Sequence, residues 1–310
     1  MSKIVIIGAG HVGSHCAYAL LLQGICSELV LVDIDSSKAR SHALDLADAI
    51  PYSRQVTVRG GSIADCTDAD IVVISAGLPR MPGQTRTDVM RDTMKTARII
   101  APQLAETGFS GILISISNPA DVIAQYFYSQ LNLPAARVIS TGTALDTARL
   151  RRIIARELNI SADSVSGYVL GEHGDSQTVP WSQVRIGSES LLSLIERRAV
   201  PKLDLNALAY ETKMTGTDVI DGKGATEFGI GAALARIASA VLRDEKCVLP
   251  VSTLLNGEYC QHDVFAGVPA VIGRGGMERL LPLTLTDDEL AAFEASCTTI
   301  RGNFTAAQNM

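Results

Sequence analysis

The chain has 310 residues, 27 basic against 33 acidic side chains, a net charge of −6 and 47% hydrophobic residues. At about 150 residues per domain this is roughly two domains, long enough to bury a core without metal or disulfide staples. The composition is too apolar for disorder, and its acidic balance argues against general nucleic-acid binding, which needs a basic surface. A small anion held by a few local arginines stays compatible with it. No apolar run reaches the ~18–20 residues of a membrane helix. The opening stretch is cut off by Gly8-Ala9-Gly10 and lacks the apolar core and cleavage site of a signal peptide. Six cysteines (Cys16, Cys26, Cys66, Cys247, Cys260, Cys297) are scattered, without a C-x-x-C pair or a nearby histidine partner. They read as reduced, mostly buried thiols of a cytoplasmic protein, with no metal site.

Up to about residue 140, short β-branched runs at 3–7, 28–32, 56–59, 71–75, 111–116 and 137–140 alternate with helical patterns at 12–22, 37–49 and 88–107. The runs are apolar at most positions, as strands are when helices cover both faces of a parallel sheet. This alternation is the doubly wound α/β plan. Beyond residue 140 the rhythm changes. A helix is expected over 143–158, a strand over 165–170, helices over 203–220, 226–243 and 287–298, and strands over 247–255 and 268–272. The division is therefore residues 1–140, a nucleotide-binding unit, and residues 141–310, an α+β substrate domain.

The first strand runs into Gly8-Ala9-Gly10-His11-Val12-Gly13, a complete G-x-G-x-x-G opening a helix. Gly8 permits a tight turn, Gly10 lets the backbone approach a pyrophosphate, and Gly13 lets helix and strand pack closely. The helix N-terminus offers free N–H groups and a partial positive charge to phosphates. Asp33 ends the second strand, at the spacing where a carboxylate accepts from an adenosine ribose and repels a 2′-phosphate. Together these features predict a Rossmann domain that takes NAD rather than NADP.

Reducing a ketone needs an acid for the new alkoxide, a cation to polarise the carbonyl, and a grip on the substrate. His173 lies in Gly171-Glu172-His173-Gly174-Asp175, a glycine-flanked turn after a strand, where it can titrate near neutral pH. Asp146 and Arg149 are three apart on one helix, hence on one face. They could equally be an ordinary solvated ion pair. The stretch Arg80-Met81-Pro82-Gly83-Gln84-Thr85-Arg86 has the composition of a charged surface loop or of a lid.

Taken together, these segments resemble the NAD-dependent L-lactate and malate dehydrogenases. The resemblance covers nearly the whole chain, and also takes in Ser117-Asn118-Pro119-Ala120-Asp121, Thr141-Gly142-Thr143-Ala144-Leu145-Asp146-Thr147-Ala148-Arg149 and Lys223-Gly224-Ala225-Thr226. It implies hydride transfer between NAD and a small 2-oxo or 2-hydroxy acid. His173 becomes the proton donor and acceptor, Asp146 the group that orients and charges its imidazole, and Arg149 a fork on the substrate carboxylate. Arg86 polarises the ketone oxygen from a closing loop. Asn118 binds substrate and borders the nicotinamide, Thr226 lines the substrate pocket, and Val12, Asp33, Lys38 and Gly77 join the three glycines as cofactor contacts. A homodimer or homotetramer follows from the same resemblance, with neither nucleic acid nor membrane as partner.

The overall match is to the lactate branch, and a branched-chain 2-hydroxy acid dehydrogenase is a variant of it. Arg80, where lactate enzymes usually carry Gln, is instead the malate pattern. Two other classes share the architecture. A non-catalytic NAD sensor has no use for a proton donor oriented by a carboxylate. An NAD-dependent glycosidase uses a metal, for which there is no Cys/His set, and does not need Arg86.

Overall fold

The computed structural model describes residues 2–77 and 86–310, with backbone only for Arg86 and Thr87. Six strands, β1 (Lys3–Ile7), β2 (Glu28–Val32), β3 (Thr57–Gly60), β4 (Ile71–Ile74), β5 (Ile112–Ser115) and β6 (Val138–Ser140), pair in parallel. Their order across the sheet is β6-β5-β4-β1-β2-β3, so the winding reverses between β1 and β4. Helices α1 (His11–Gln23), α2 (Ser36–Asp48), α3 (Arg86–Glu106) and α4 (Ala120–Gln130) lie among these strands in sequence.

Side chains alternate across each strand, and both sides find a core. Ile4 and Ile6 of β1 join Leu20 of α1 and Ala39 of α2 on one face, while Val5 and Ile7 join Met94 of α3 and Phe127 of α4 on the other. Burial on both faces is why these strands read as unbroken apolar runs. A fully buried Leu20 or Phe127 contributes on the order of 1.5–3 kcal/mol.

The second half contains α5 (Ala144–Leu158), β7 (Val165–Ser166), β8 (Arg185–Ile186), β9 (Glu189–Ser190), α6 (Leu191–Glu196), α7 (Leu205–Lys223), α8 (Phe228–Leu242), β10 (Cys247–Asn256), β11 (His262–Gly273), β12 (Gly276–Leu280) and α9 (Asp287–Gln308). Strands β7, β8 and β9 form a small sheet of their own. The longer β10–β12 meander instead extends the nucleotide sheet, because Ser252 of β10 pairs antiparallel with Ser140 of β6. One nine-stranded sheet, β12-β11-β10-β6-β5-β4-β1-β2-β3, therefore crosses both halves. Helix α8 packs on the same core as α1, and α9 reaches the opposite core through Ala307.

Three expected elements differ from those observed. The strand over 165–170 stops at Ser166: the Val169 N–H donates to Thr147 Oγ1 at 2.9 Å, the Gly167 carbonyl accepts from Arg151 Nε at 3.1 Å, and only isolated bridges resume at Leu170 and Gly171. Strand β11 starts at His262, six residues before the apolar run, because it pairs with β10 along nearly its whole length. Helix α9 runs ten residues past Thr298, through Gly302, a residue that costs a helix about 1 kcal/mol relative to Ala. Packing of Ile300 and Ala307 offsets that cost. No helix among the described residues is long and apolar enough to cross a membrane.

Candidate active site

The carboxyl ends of the parallel strands carry the candidate residues, as expected for a ligand crevice at the point where the strand order reverses. After β1, Gly8 has φ +106°, and a Cβ there would lie 2.6 Å from the Ser75 carbonyl carbon. A Cβ on Gly13 would lie 1.9 Å from the Gly8 oxygen, whereas one on Gly10 would meet nothing within 4 Å. Two glycines therefore serve close packing, and the third faces open space. No side chain caps α1 at Gly10, which keeps its first N–H groups available to an anion. After β2, Asp33 accepts the Ala9 N–H at 2.8 Å and the Asp35 N–H at 3.1 Å, so its carboxylate is fixed against the glycine turn. Asp35 caps α2 by accepting from Ser37 and Lys38, and Lys38 Nζ sits 4.0 Å from Asp33. The open Gly10 face, uncapped helix and anchored carboxylate fit a dinucleotide with a free ribose 2′-hydroxyl. Val12 lies in the first turn of α1, half-buried.

Beyond β4 and β5 two loops are tied together. Ser117 Oγ donates to the Ala76 carbonyl at 2.8 Å, which sets Asn118 beside the segment holding Gly77. Asn118 is exposed and precedes Pro119 through a cis peptide.

Past β6, α5 carries Asp146 and Arg149 one turn apart, both buried. Arg149 NH1 donates to Asp146 Oδ1 at 3.0 Å, and His173 Nδ1 lies 2.6 Å from Asp146 Oδ2. One carboxylate thus bridges guanidinium and imidazole. A carboxylate only accepts, so Nδ1 carries the hydrogen, and Nε2 is the nitrogen available to a ligand. Burial of the imidazole disfavours its charged form, but the charge and hydrogen bond of Asp146 outweigh burial and raise the His173 pKa above the ordinary value. Burial also works against the Asp146 anion, and His173 and Arg149 more than offset it, holding its pKa low.

The turn bearing His173 is anchored from three elements. Gly171 exchanges backbone hydrogen bonds with Gly267 of β11 at 3.0 and 2.8 Å. The His173 N–H donates to Asp121 Oδ2 of α4 at 2.9 Å. The Glu172 N–H donates to Ser296 Oγ of α9 at 2.8 Å, while the Glu172 carboxylate accepts from Ser176 and from Asn303 of α9. Gly171 has φ +87°, and a Cβ on it would strike Ser296 Oγ at 2.3 Å.

Residues 2–140 match the model of the lactate/malate dehydrogenase NAD-binding domain, and residues 143–310 that of the lactate/malate dehydrogenase alpha/beta C-terminal domain. The chain belongs to the lactate/malate dehydrogenase family. It is 40% identical over 301 residues to the L-lactate dehydrogenase of Lactococcus lactis subsp. cremoris (strain NZ9000), covering 96% of each chain. It superposes on the minor L-lactate dehydrogenase of Enterococcus mundtii in ligand-bound form with TM-score 0.95, at 39% identity and 98% coverage of each. The malate dehydrogenase of Cryptosporidium parvum gives TM-score 0.93 at 30% identity, covering 100% of this chain and 99% of that one. The protein is accordingly an NAD-dependent oxidoreductase acting on the CH–OH group of 2-hydroxy acids.

In this lactate/malate dehydrogenase the expected residues that are described fall into four groups, of which Gly77 and Asn118, on the two tied loops, are one. Gly8, Gly10, Val12, Gly13, Asp33 and Lys38 gather at the glycine turn, and His173, Asp146 and Arg149 form one hydrogen-bonded set. Thr226 is half-buried in the connection between α7 and α8. Its neighbour Glu227 lies 3.9 Å from both His11 and His15, which places that connection against the start of α1. Arg80, residues 80–85 of the expected lid and the Arg86 side chain lie outside the described residues; the backbone of α3 begins at Arg86.

The sequence reading missed Asp121, Gly216 and Ser296. Asp121 stood inside a quoted motif but had no assigned job. A Cβ on Gly216 of α7 would come 3.1 Å from Arg149 NH1, so this glycine makes room for the guanidinium. Only the unusual Thr215-Gly216-Thr217 inside a helical run could have flagged it. Nothing local marks Ser296.

Proposed function

We propose that the chain is an L-lactate dehydrogenase that reduces pyruvate to L-lactate with NADH. The observation that carries this reading is the Arg149–Asp146–His173 chain, at 3.0 and 2.6 Å and buried at Asp146 and Arg149, beside a dinucleotide cradle. Arg149 spends one N–H on Asp146 and has a planar fork to offer the substrate carboxylate. Nε2 of His173 gives its proton to the ketone oxygen in reduction and takes it back in oxidation, while Asp146 stabilises the imidazolium. Arg86 polarises the ketone oxygen, Asn118 hydrogen-bonds the substrate beside the nicotinamide, and Thr226 walls the pocket. NAD, when bound, accepts or supplies the hydride. Gly8, Gly10, Gly13, Val12, Asp33, Lys38, Gly77 and Asn118 are the contacts for that cofactor. Residues 1–140 hold the nucleotide and residues 141–310 supply most of the substrate site. The active form is a homodimer or homotetramer in the cytoplasm. The exposed Leu44, Tyr210 and Phe228 support assembly as apolar surface that a second copy would cover.

Arg80 favours a second substrate, oxaloacetate. A guanidinium facing the substrate side chain pairs with a second carboxylate, whereas against a methyl group it is desolvated without a partner, at a cost of several kcal/mol. The decisive measurement is kcat/KM for pyruvate, oxaloacetate and 2-oxoisocaproate in the wild type and in Arg80→Gln. The expected result is turnover of pyruvate with substantial oxaloacetate activity. In Arg80→Gln, pyruvate activity rises and oxaloacetate activity falls by tenfold or more, about 1.4 kcal/mol or greater. If the wild type ignores oxaloacetate and the substitution changes nothing, Arg80 does not read the substrate.

Cofactor choice follows from Asp33. Its anchored carboxylate opposes a 2′-phosphate, and such like-charge contacts cost several kcal/mol. kcat/KM should favour NADH over NADPH by about 100-fold or more, and Asp33→Ser should narrow the gap. Equal rates with the two cofactors would remove Asp33 as the discriminator.

A further inference from the structure

We propose that Asp121 is a positioning residue for the acid–base step: through the His173 N–H it ties the turn to α4, and its negative charge supports the imidazolium. The proposal rests on His173 being the proton donor and acceptor of the reaction described above.

The geometry makes Asp121 more than a helix-start residue. It is 2% exposed, and its Oδ2 accepts the His173 N–H at 2.9 Å. Oδ1 and the Ser252 hydroxyl of β10 are both buried without a well-formed hydrogen bond, and that hydroxyl is the second polar group acting on the carboxylate. A neutral Asn would satisfy the same N–H through its amide oxygen and could give its N–H2 to the second site, at a much lower desolvation cost. That cost is visible in the acid itself: burial raises its pKa to about 6, against the opposing influence of Ser252 and of the His173 N–H and charge. A carboxylate kept under such conditions is useful for what the amide lacks, its negative charge.

That charge has a nearby recipient. Two carboxylates on different helices act on the imidazole, Asp146 of α5 through its contact with Nδ1 and Asp121 of α4 by charge alone, and both favour its protonated form; Arg149 of α5 opposes them. Glu172, on the same turn, is a further anion felt by Asp121. From α9 the Cys297 thiol is pushed up to about 12 by burial and stays neutral. Asp121 also sits in the first turn of α4, where the helix dipole favours an anion. It follows Asn118-Pro119 by two residues. Because α4 begins there, the bond to His173 sets the imidazole turn and the Asn118 loop in register with each other.

The test compares the full-length wild type with Asp121→Asn and Asp121→Ala. The first readout is the imidazole titration followed by NMR; the chain has five histidines, and His173→Gln assigns the signal. Asp121→Asn should lower the His173 pKa, and the high-pH limb of kcat/KM for pyruvate should move the same way. Asp121→Ala, which also loses the bond, should cost kcat about tenfold or more, with NADH Kd and Tm showing that the protein is folded. An unchanged titration and pH profile in Asp121→Asn would overturn the proposal even if Asp121→Ala fails to fold. The outcomes separate cleanly: a wild type inert toward 2-oxo acids defeats the reaction assignment, while the NMR titration still decides whether Asp121 acts on His173.

Discussion

Replacing His173 by Ala should lower kcat for pyruvate reduction by about two to four orders of magnitude, the usual worth of a positioned acid or base, while NADH binding should survive. The separation is expected because the dinucleotide cradle is built at Gly8, Gly10, Gly13 and Asp33, and its anchoring bonds come from Ala9 and Asp35 rather than from the 171–175 turn. Asp146→Asn should be nearly as damaging. An amide can present an N–H to Nδ1, which favours the tautomer with its proton on the wrong nitrogen. The pH profile supplies the second half of the experiment. On the proposed mechanism reduction needs protonated His173, whose pKa is raised because Asp146 outweighs burial. kcat/KM for pyruvate should therefore hold past the ordinary imidazole value and fall only as pH climbs through the raised one. Lactate oxidation needs the neutral ring and should rise over that same interval. In Asp146→Asn both limbs move to lower pH. A His173→Ala enzyme within tenfold of wild-type kcat would exclude the ring as the proton donor.

Arg149→Leu should raise the pyruvate KM by about 100-fold or more and reduce kcat/KM by about three orders of magnitude. On the proposed reading two charge-assisted hydrogen bonds, each worth about 1.5–3 kcal/mol, would be lost from the substrate carboxylate. Arg149→Lys restores the charge without the planar fork and should recover only a fraction of that loss. Asp146 still pairs with His173 at 2.6 Å in these variants, so NADH affinity and the order of the 171–175 turn should be kept. Steady-state kinetics with a fluorescence titration of NADH distinguishes the outcomes. Equal losses in NADH and pyruvate binding would mean that Arg149 supports the structure rather than the substrate. A milder probe comes from α7. Gly216→Ala places a methyl group 3.1 Å from the Arg149 guanidinium and should raise KM in the same direction by a smaller factor.

The sequence disclosed the nucleotide half well because its signals are local. A strand buried on both faces must be apolar at consecutive positions, and Gly8 and Gly13 are demanded by contacts with Ser75 and with Gly8 itself. Asp146 and Arg149 were equally legible through their spacing on one helix, although spacing could not say whether they were solvated; burial and the shared bond to His173 came only with the fold. What stayed hidden depends on residues far apart in the chain. Thr147 captures the Val169 N–H and ends a strand that its own apolar run would have continued. Gly267 and Gly171 bridge across ninety-six positions. Asp121 looks like an ordinary first-turn acid until the His173 N–H is seen against it. The reach of β10 to β6 had no local signature, because either strand could have stood at a sheet edge.

The support of the 171–175 turn by α9 bears on how the protein comes into being. Ser296 and Asn303, which hold Glu172, lie 124 and 131 positions after it, in α9. Synthesis makes the glycine turn, all six parallel strands and the 171–175 turn before the residues that support that turn from α9 exist. A chain stopped before α9 carries His173, Asp146 and Arg149 yet lacks the Ser296 and Asn303 contacts to their turn, and with them the Ala307 contact to the core behind the parallel strands.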